Sequence, residues 1–106
     1  MAISETATSI SAGVVNFSTG QVDPSDNGII TVTLGFKPRH VRVVNEDLVE
    51  VWEKFEGMAA NATIKTVTAG TTTYDTNSGI TFTANGFTIS AAAAGDGDNV
   101  LWAAWG

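Results

Sequence analysis

The run that most constrains this chain is residues 79–92, GITFTANGFTISAA. An Asn-Gly pair sits between two stretches in which apolar residues alternate with threonine and serine. That arrangement is the strongest short hairpin signal, because both central residues of a type I′ turn take positive φ and Asn-Gly accepts this. A turn at Asn85-Gly86 predicts Ala84 opposite Phe87, Phe82 opposite Ile89 and Ile80 opposite Ala91. Every apolar member of these pairs then falls on one face, and Thr81, Thr83, Thr88 and Ser90 fall on the other. A period of two residues means a sheet with one buried and one wet face.

The rest of the chain repeats the pattern at short intervals. Residues 29–34 (IITVTL) put Ile30, Val32 and Leu34 on one side and Thr31 and Thr33 on the other. Residues 13–18 (GVVNFS) and 63–68 (TIKTVT) read as further strands. Between them, residues 23–28 make a turn in which Pro24 presets φ and the Asp and Asn side chains bond locally to backbone. Pro38 lacks an N–H, so residues 35–38 belong to a loop or an edge. Residues 55–62 are the one place suited to a short helical turn, and Gly57 and Asn61 oppose anything longer. Residues 69–78 read as a threonine-rich bend and residues 93–99 as a loop. Residues 100–105 (VLWAAW) are apolar on both faces, as a strand is when it is central or when something outside the domain covers it. We expect it to close the core.

Residues 34–58 hold every Lys and Arg except Lys65, and the single histidine. Their middle predicts a second hairpin across Asn45-Glu46-Asp47. This register sets Val44 against Leu48, Val43 against Val49, Arg42 against Glu50, Val41 against Val51, His40 against Trp52 and Arg39 against Glu53. It aligns two opposite-charge pairs, each worth roughly 0.2–1 kcal/mol. Together these signals predict an all-β fold: an antiparallel β-sandwich of about eight short strands, jelly-roll or immunoglobulin-like. We expect residues 12–106 to form one such domain, with residues 1–11 as an N-terminal arm held in an assembly.

With 106 residues the chain can bury a core without staples, and with no cysteine it has neither disulfides nor thiolate metal sites. Five Lys and Arg against eleven Asp and Glu, a net charge of −6, argue against nucleic acid and anionic membranes as partners. Residues 1–10 lack a basic region followed by an apolar run, so the expected mature chain starts near Met1.

Candidate chemistry is sparse. His40 has no second His and no Cys for a zinc site, and no G-x-S-x-G motif accompanies it. We therefore expect no enzyme, no cofactor and no metal. Lys37, Arg39, His40 and Arg42 form the one basic cluster; Glu50, Glu53 and Glu56 can neutralise it internally, or it can steer an acidic partner. Asp96, Asp98 and Asn99, and likewise Asp75 and Asn77, resemble calcium loops but lack the full ligand pattern, and turn chemistry accounts for them. Trp52, Trp102, Trp105 and Tyr74 can stack on a sugar or fill a core, and core filling is the commoner use.

The run GFKPRHVRVVN, then WEKFEGM, ITFTANGFTI, a Gly/Asp loop and a closing VLWAAWG resemble the small all-β head decoration (cement) proteins of tailed bacteriophages. The likeness covers roughly residues 34–106, with some similarity to small tail-fibre modules. It implies a virion structural protein bound to the major capsid protein on the outer capsid surface. Such a protein would be a homo-oligomer, dimer or trimer, assembled in the bacterial host cytoplasm. The alternative is a receptor- or glycan-binding β-sandwich module of a tail fibre. The expected partner-binding residues are Ile3, Ser4 and Glu5 of the arm, with Lys37, Arg39 and Arg42.

Overall fold

Threonine, valine and isoleucine dominate the alternating stretches, and β-branched residues suit a pleated, half-buried surface. In the computed structural model, which describes residues 16–25, 28–76 and 79–106, they form strands and no helix among the described residues. The nine strands are β1 (Phe17–Val22), β2 (Ile30–Thr33), β3 (His40–Asn45), β4 (Glu50–Phe55), β5 (Thr63–Thr66), β6 (Thr72–Asp75), β7 (Ile80–Phe82), β8 (Gly86–Ile89) and β9 (Val100–Trp105). Every ladder is antiparallel. A larger sheet of six strands runs β1-β9-β3-β4-β5-β6, and a smaller one of three runs β2-β8-β7. The two sheets make the expected β-sandwich.

Its core lies between the sheets. Val41, Val43, Trp52, Val100 and Ala104 come from the larger sheet, and Ile80, Phe87 and Ile89 from the smaller. Ala93 and Ala94 fill the gap from the loop before β9. Fully burying a large apolar side chain stabilises by about 1.5–3 kcal/mol. The strand β9 contributes Val100 and Ala104 to the core as expected and lies inside the sheet, hydrogen-bonded to β1 on one side and β3 on the other.

In the smaller sheet the faces are as the sequence predicts, but the turn is not. Ile80 pairs with Ile89 and Phe82 with Phe87, so the turn residues are Ala84 and Asn85, closed by a Thr83 N–H to Gly86 O bond of 2.8 Å. The register differs from the expected one by two residues, which leaves each side chain on its original face. Gly86 is not among the positive-φ glycines. It opens β8 opposite Thr33, where an added Cβ would lie 1.9 Å from the Val32 carbonyl oxygen. Here glycine allows two backbones to approach, while the preceding Asn85 carbonyl accepts from Leu34 N–H (2.7 Å) and Gly35 N–H (3.0 Å).

The central hairpin departs further. Val44 pairs with Val51, Val43 with Trp52, Arg42 with Glu53, Val41 with Lys54 and His40 with Phe55. The loop is Glu46-Asp47-Leu48-Val49, and the register differs from the expected one by three residues. An odd shift moves β4 side chains to the other face, which carries Trp52 into the core at 0% exposure. That burial outweighs the charge pairs of the predicted register. The buried Asn45 organises the loop. Its Oδ1 accepts from the N–H groups of Asp47 and Leu48 (3.0 Å each). Its Nδ2 donates to Ala93 O (2.9 Å) and Asp98 Oδ2 (2.8 Å). Val49 takes φ 53°, which a β-branched residue rarely adopts.

Three smaller corrections follow from the ladders. The predicted bend at residues 69–78 contains β6, which pairs with β5 through Tyr74–Ile64 and Thr73–Lys65. Residues 55–62 form hydrogen-bonded turns, Met58 N–H to Phe55 O (3.2 Å) and Ala62 N–H to Ala59 O (2.9 Å), and not a helix. The first described strand runs to Val22, because its partner β9 extends to Val100. The predicted arm, residues 1–11, lies outside the described residues.

Candidate docking face

Alternation gives the larger sheet two faces, and the smaller sheet covers one of them. The other points outward. One row across it reads Phe17, Trp105, His40 and Phe55 in register. The next reads Thr19, Ala103, Arg42, Glu53, Ile64 and Tyr74, and the third Gln21, Leu101, Val44, Val51, Thr66 and Thr72. Phe17, Phe55, Tyr74 and Leu101 are 51%, 43%, 58% and 38% exposed. Val44, Val51, Ile64 and Trp105 are half-buried.

The first row is a column of rings. His40 stacks on Phe55 with centroids 4.3 Å apart and planes 7° apart, and on Trp105 at 4.6 Å and 14°. Phe17 leans on Trp105 at 5.4 Å and 46°. Each such pair adds about 0.5–1.5 kcal/mol beyond area burial. The His40 Nε2–H donates to Glu53 Oε2 (2.8 Å), fixing the imidazole edge. The sequence reading placed His40 opposite Trp52; the true register puts it between Phe55 and Trp105, and Trp52 on the other face. An imidazole clamped between two rings and tied to a carboxylate is a structural part of the column.

Of the predicted partner-binding residues, Ile3, Ser4 and Glu5 lie outside the described residues. Arg42 stands exposed in the middle of the outward face, opposite Glu53 in the ladder, with no ion pair among the described residues. Lys37 and Arg39 are exposed in the segment leading into β3. Lys37 lines a cavity of about 250 Å³ with Phe55, Glu56, Met58 and Phe82. The expected internal neutralisation of the basic cluster is therefore partial: Glu53 takes His40, and Glu50 meets Lys65 at 3.9 Å. Asp98 spends Oδ2 on Asn45 Nδ2 and Gly95 N–H (3.0 Å), which is turn chemistry. Among the described residues no three acidic or histidine side chains converge to hold a metal.

Two features were missed by sequence reasoning. The exposure of Phe17, Phe55, Tyr74 and Leu101 on one face depends on strand order; its one sequence signal was the two-sided apolar run at residues 100–105. The second is Lys54, buried with Nζ donating to the carbonyl oxygens of Ala62 (2.5 Å), Ala59 (2.7 Å) and Ala60 (3.3 Å). The Phe82 ring lies 5.6 Å away. Desolvation pushes this ammonium below the usual lysine range. An ammonium engaged with three carbonyl oxygens has no lone pair to attack with, so Lys54 braces the loop at residues 56–62. In comparisons with family models, with curated proteins and with solved structures, nothing matched this chain.

Proposed function

We propose that this chain is a non-enzymatic virion structural protein, a decoration or cement protein that binds the major capsid protein on the outside of a tailed-phage head. It does so as a homo-oligomer and stabilises the shell. The observation that carries the reading is the outward face of the larger sheet. It carries exposed Phe17, Phe55, Tyr74 and Leu101 beside a column of stacked rings, on a chain of net charge −6. Contiguous exposed apolar surface of this kind marks protein docking. The most reactive side chains at hand, His40 and Lys54, are engaged in stacking and bracing. The resemblance of residues 34–106 supplies the shell as the partner.

The tail-fibre alternative, a receptor- or glycan-binding module, needs ring faces open to a sugar. In the column the faces of His40, Trp105 and Phe55 are turned on one another, and Trp52 is buried, so Tyr74 is left as the face's most open ring. Sedimentation of the purified protein with empty heads tests the reading. Binding in proportion to capsomers is expected, with lower occupancy once residues 1–11 are removed. Failure to sediment with heads, combined with hits on a glycan array, would reject it in favour of the alternative.

A further inference from the structure

We propose that a second copy of this chain covers the outward face, packed sheet to sheet about a twofold axis running along the strands between β3 and β4. The inference rests on the homo-oligomer part of that reading: the face is taken by a second copy, and the dimer meets the shell with its remaining surfaces.

Charge points to self-association. Among the outward strand positions the only charged side chains, histidine aside, are Arg42 and Glu53, whereas the chain as a whole carries −6. A second copy meets the least like-charge repulsion here. Arg42 and Glu53 also straddle the midline of the sheet, because β3 and β4 are its two middle strands. A twofold axis along that midline lays each β3 over the other copy's β4. Arg42 of each copy then faces Glu53 of the other, which satisfies a guanidinium that has no ion pair among the described residues. An interface of this kind is isologous, every contact occurring twice.

Shape agrees. The same axis lays β9 over β5, so the small Ala103 faces Ile64 of the second copy. Beside Ala103 lies an apolar depression of about 150 Å³ lined by Arg42, Val44 and Leu101, positioned to receive that isoleucine. Farther out, Thr19 faces Tyr74, again small against large. Stacked sheets twist by about 30°, so the match is tightest near the axis. Strands about 4.8 Å apart and about 3.4 Å per residue give the face roughly 500 Å², or about 1,000 Å² over two copies, the lower end for a specific interface and the size of a weak dimer.

Sedimentation velocity on the full chain tests this. The wild type is expected to dimerise at micromolar concentration. Arg42→Glu and Glu53→Arg should each weaken the dimer by about a hundredfold or more through like-charge contacts. Arg42 is exposed and Glu53 half-buried against His40, so circular dichroism will verify that each variant is folded. An equimolar mixture of the two variants should dimerise again, since the new carboxylate at position 42 then faces the new guanidinium at position 53 in one contact, and the native Arg42 faces the native Glu53 in the other. Pairing within one chain cannot produce that rescue. A wild type that stays monomeric, a mixture that stays monomeric, or dimers that form only once residues 1–15 are removed would each overturn the proposal. A monomer that still sediments with phage heads would sink the twofold pairing alone; a dimer that ignores heads would sink the cement reading alone.

Discussion

Replacing Gly86 by alanine tests whether this glycine serves the turn or the contact between strands. The added Cβ would sit 1.9 Å from Val32 O, whereas ordinary contact begins near 3.4 Å, so β2 must retreat by about 1.5 Å. That retreat takes the Leu34 and Gly35 N–H groups, now 2.7 and 3.0 Å from Asn85 O, out of hydrogen-bonding range. Two lost bonds cost about 0.5–1.5 kcal/mol each. Overpacking adds about 1–3 kcal/mol. The expected loss is therefore about 2–6 kcal/mol, or roughly 10–25 °C in Tm for a chain of this size. Thermal unfolding followed by tryptophan fluorescence reads it well, because Trp102 packs edge-on against Phe87 next to the strained contact (5.4 Å, 73°). Gly86→Asn should be at least as harmful, although a left-handed turn would welcome asparagine. Gly97→Ala, at φ 80° with nothing within 4 Å, should cost only about 1–2 kcal/mol of backbone strain. A Gly86→Ala protein that melts within about 3 °C of wild type, or an asparagine variant that is tolerated, would refute the close-approach argument.

Lys54→Met should destabilise by about 2–3 kcal/mol in urea unfolding, because the carbonyls of Ala59, Ala60 and Ala62 lose their donor inside the protein. The folded-state pKa of Lys54 lies below its unfolded value of 10.5, so between the two the unfolded chain holds more protons and stability rises with pH. The gap between wild type and Lys54→Met should accordingly widen as pH climbs toward 10.5; a gap that narrows refutes the assignment. Val49→Asn should stabilise by about 1 kcal/mol, or roughly 4 °C in Tm, by relieving a β-branched residue at φ 53°. A lower Tm would mean that the tip draws more from valine than the strain costs.

What the sequence made legible follows the range of each signal. Alternation in residues 29–34 and 80–89 is local and decides faces, and those faces are correct. The Asn-Gly cue located a hairpin but misread its glycine, because the neighbour that demands glycine, Val32, lies more than fifty residues earlier in the chain. In the central hairpin, aligning Arg42 with Glu50 and Arg39 with Glu53 gave weight to exposed charge pairs. The native register is set instead by burying Trp52 and by the four hydrogen bonds of Asn45, two of them to residues beyond position 92. The outward face was illegible for the same reason: β9 brings Trp105 beside His40 and Phe17, and no local pattern announces that juxtaposition.

The position of β9 also fixes the order in which the molecule can be finished. Among the described residues β1 has β9 as its sole neighbour, and β3 needs that same strand along its open side. Until residues 100–105 are released during synthesis, β1 lacks its partner among the described strands and the larger sheet is missing one of its inner strands. Domains acquire structure as they emerge from the N-terminal end, but this one must wait. A nascent chain halted before Val100 would offer chaperones and proteases two unzipped edges, and a truncation there also takes Val100 and Ala104 out of the core.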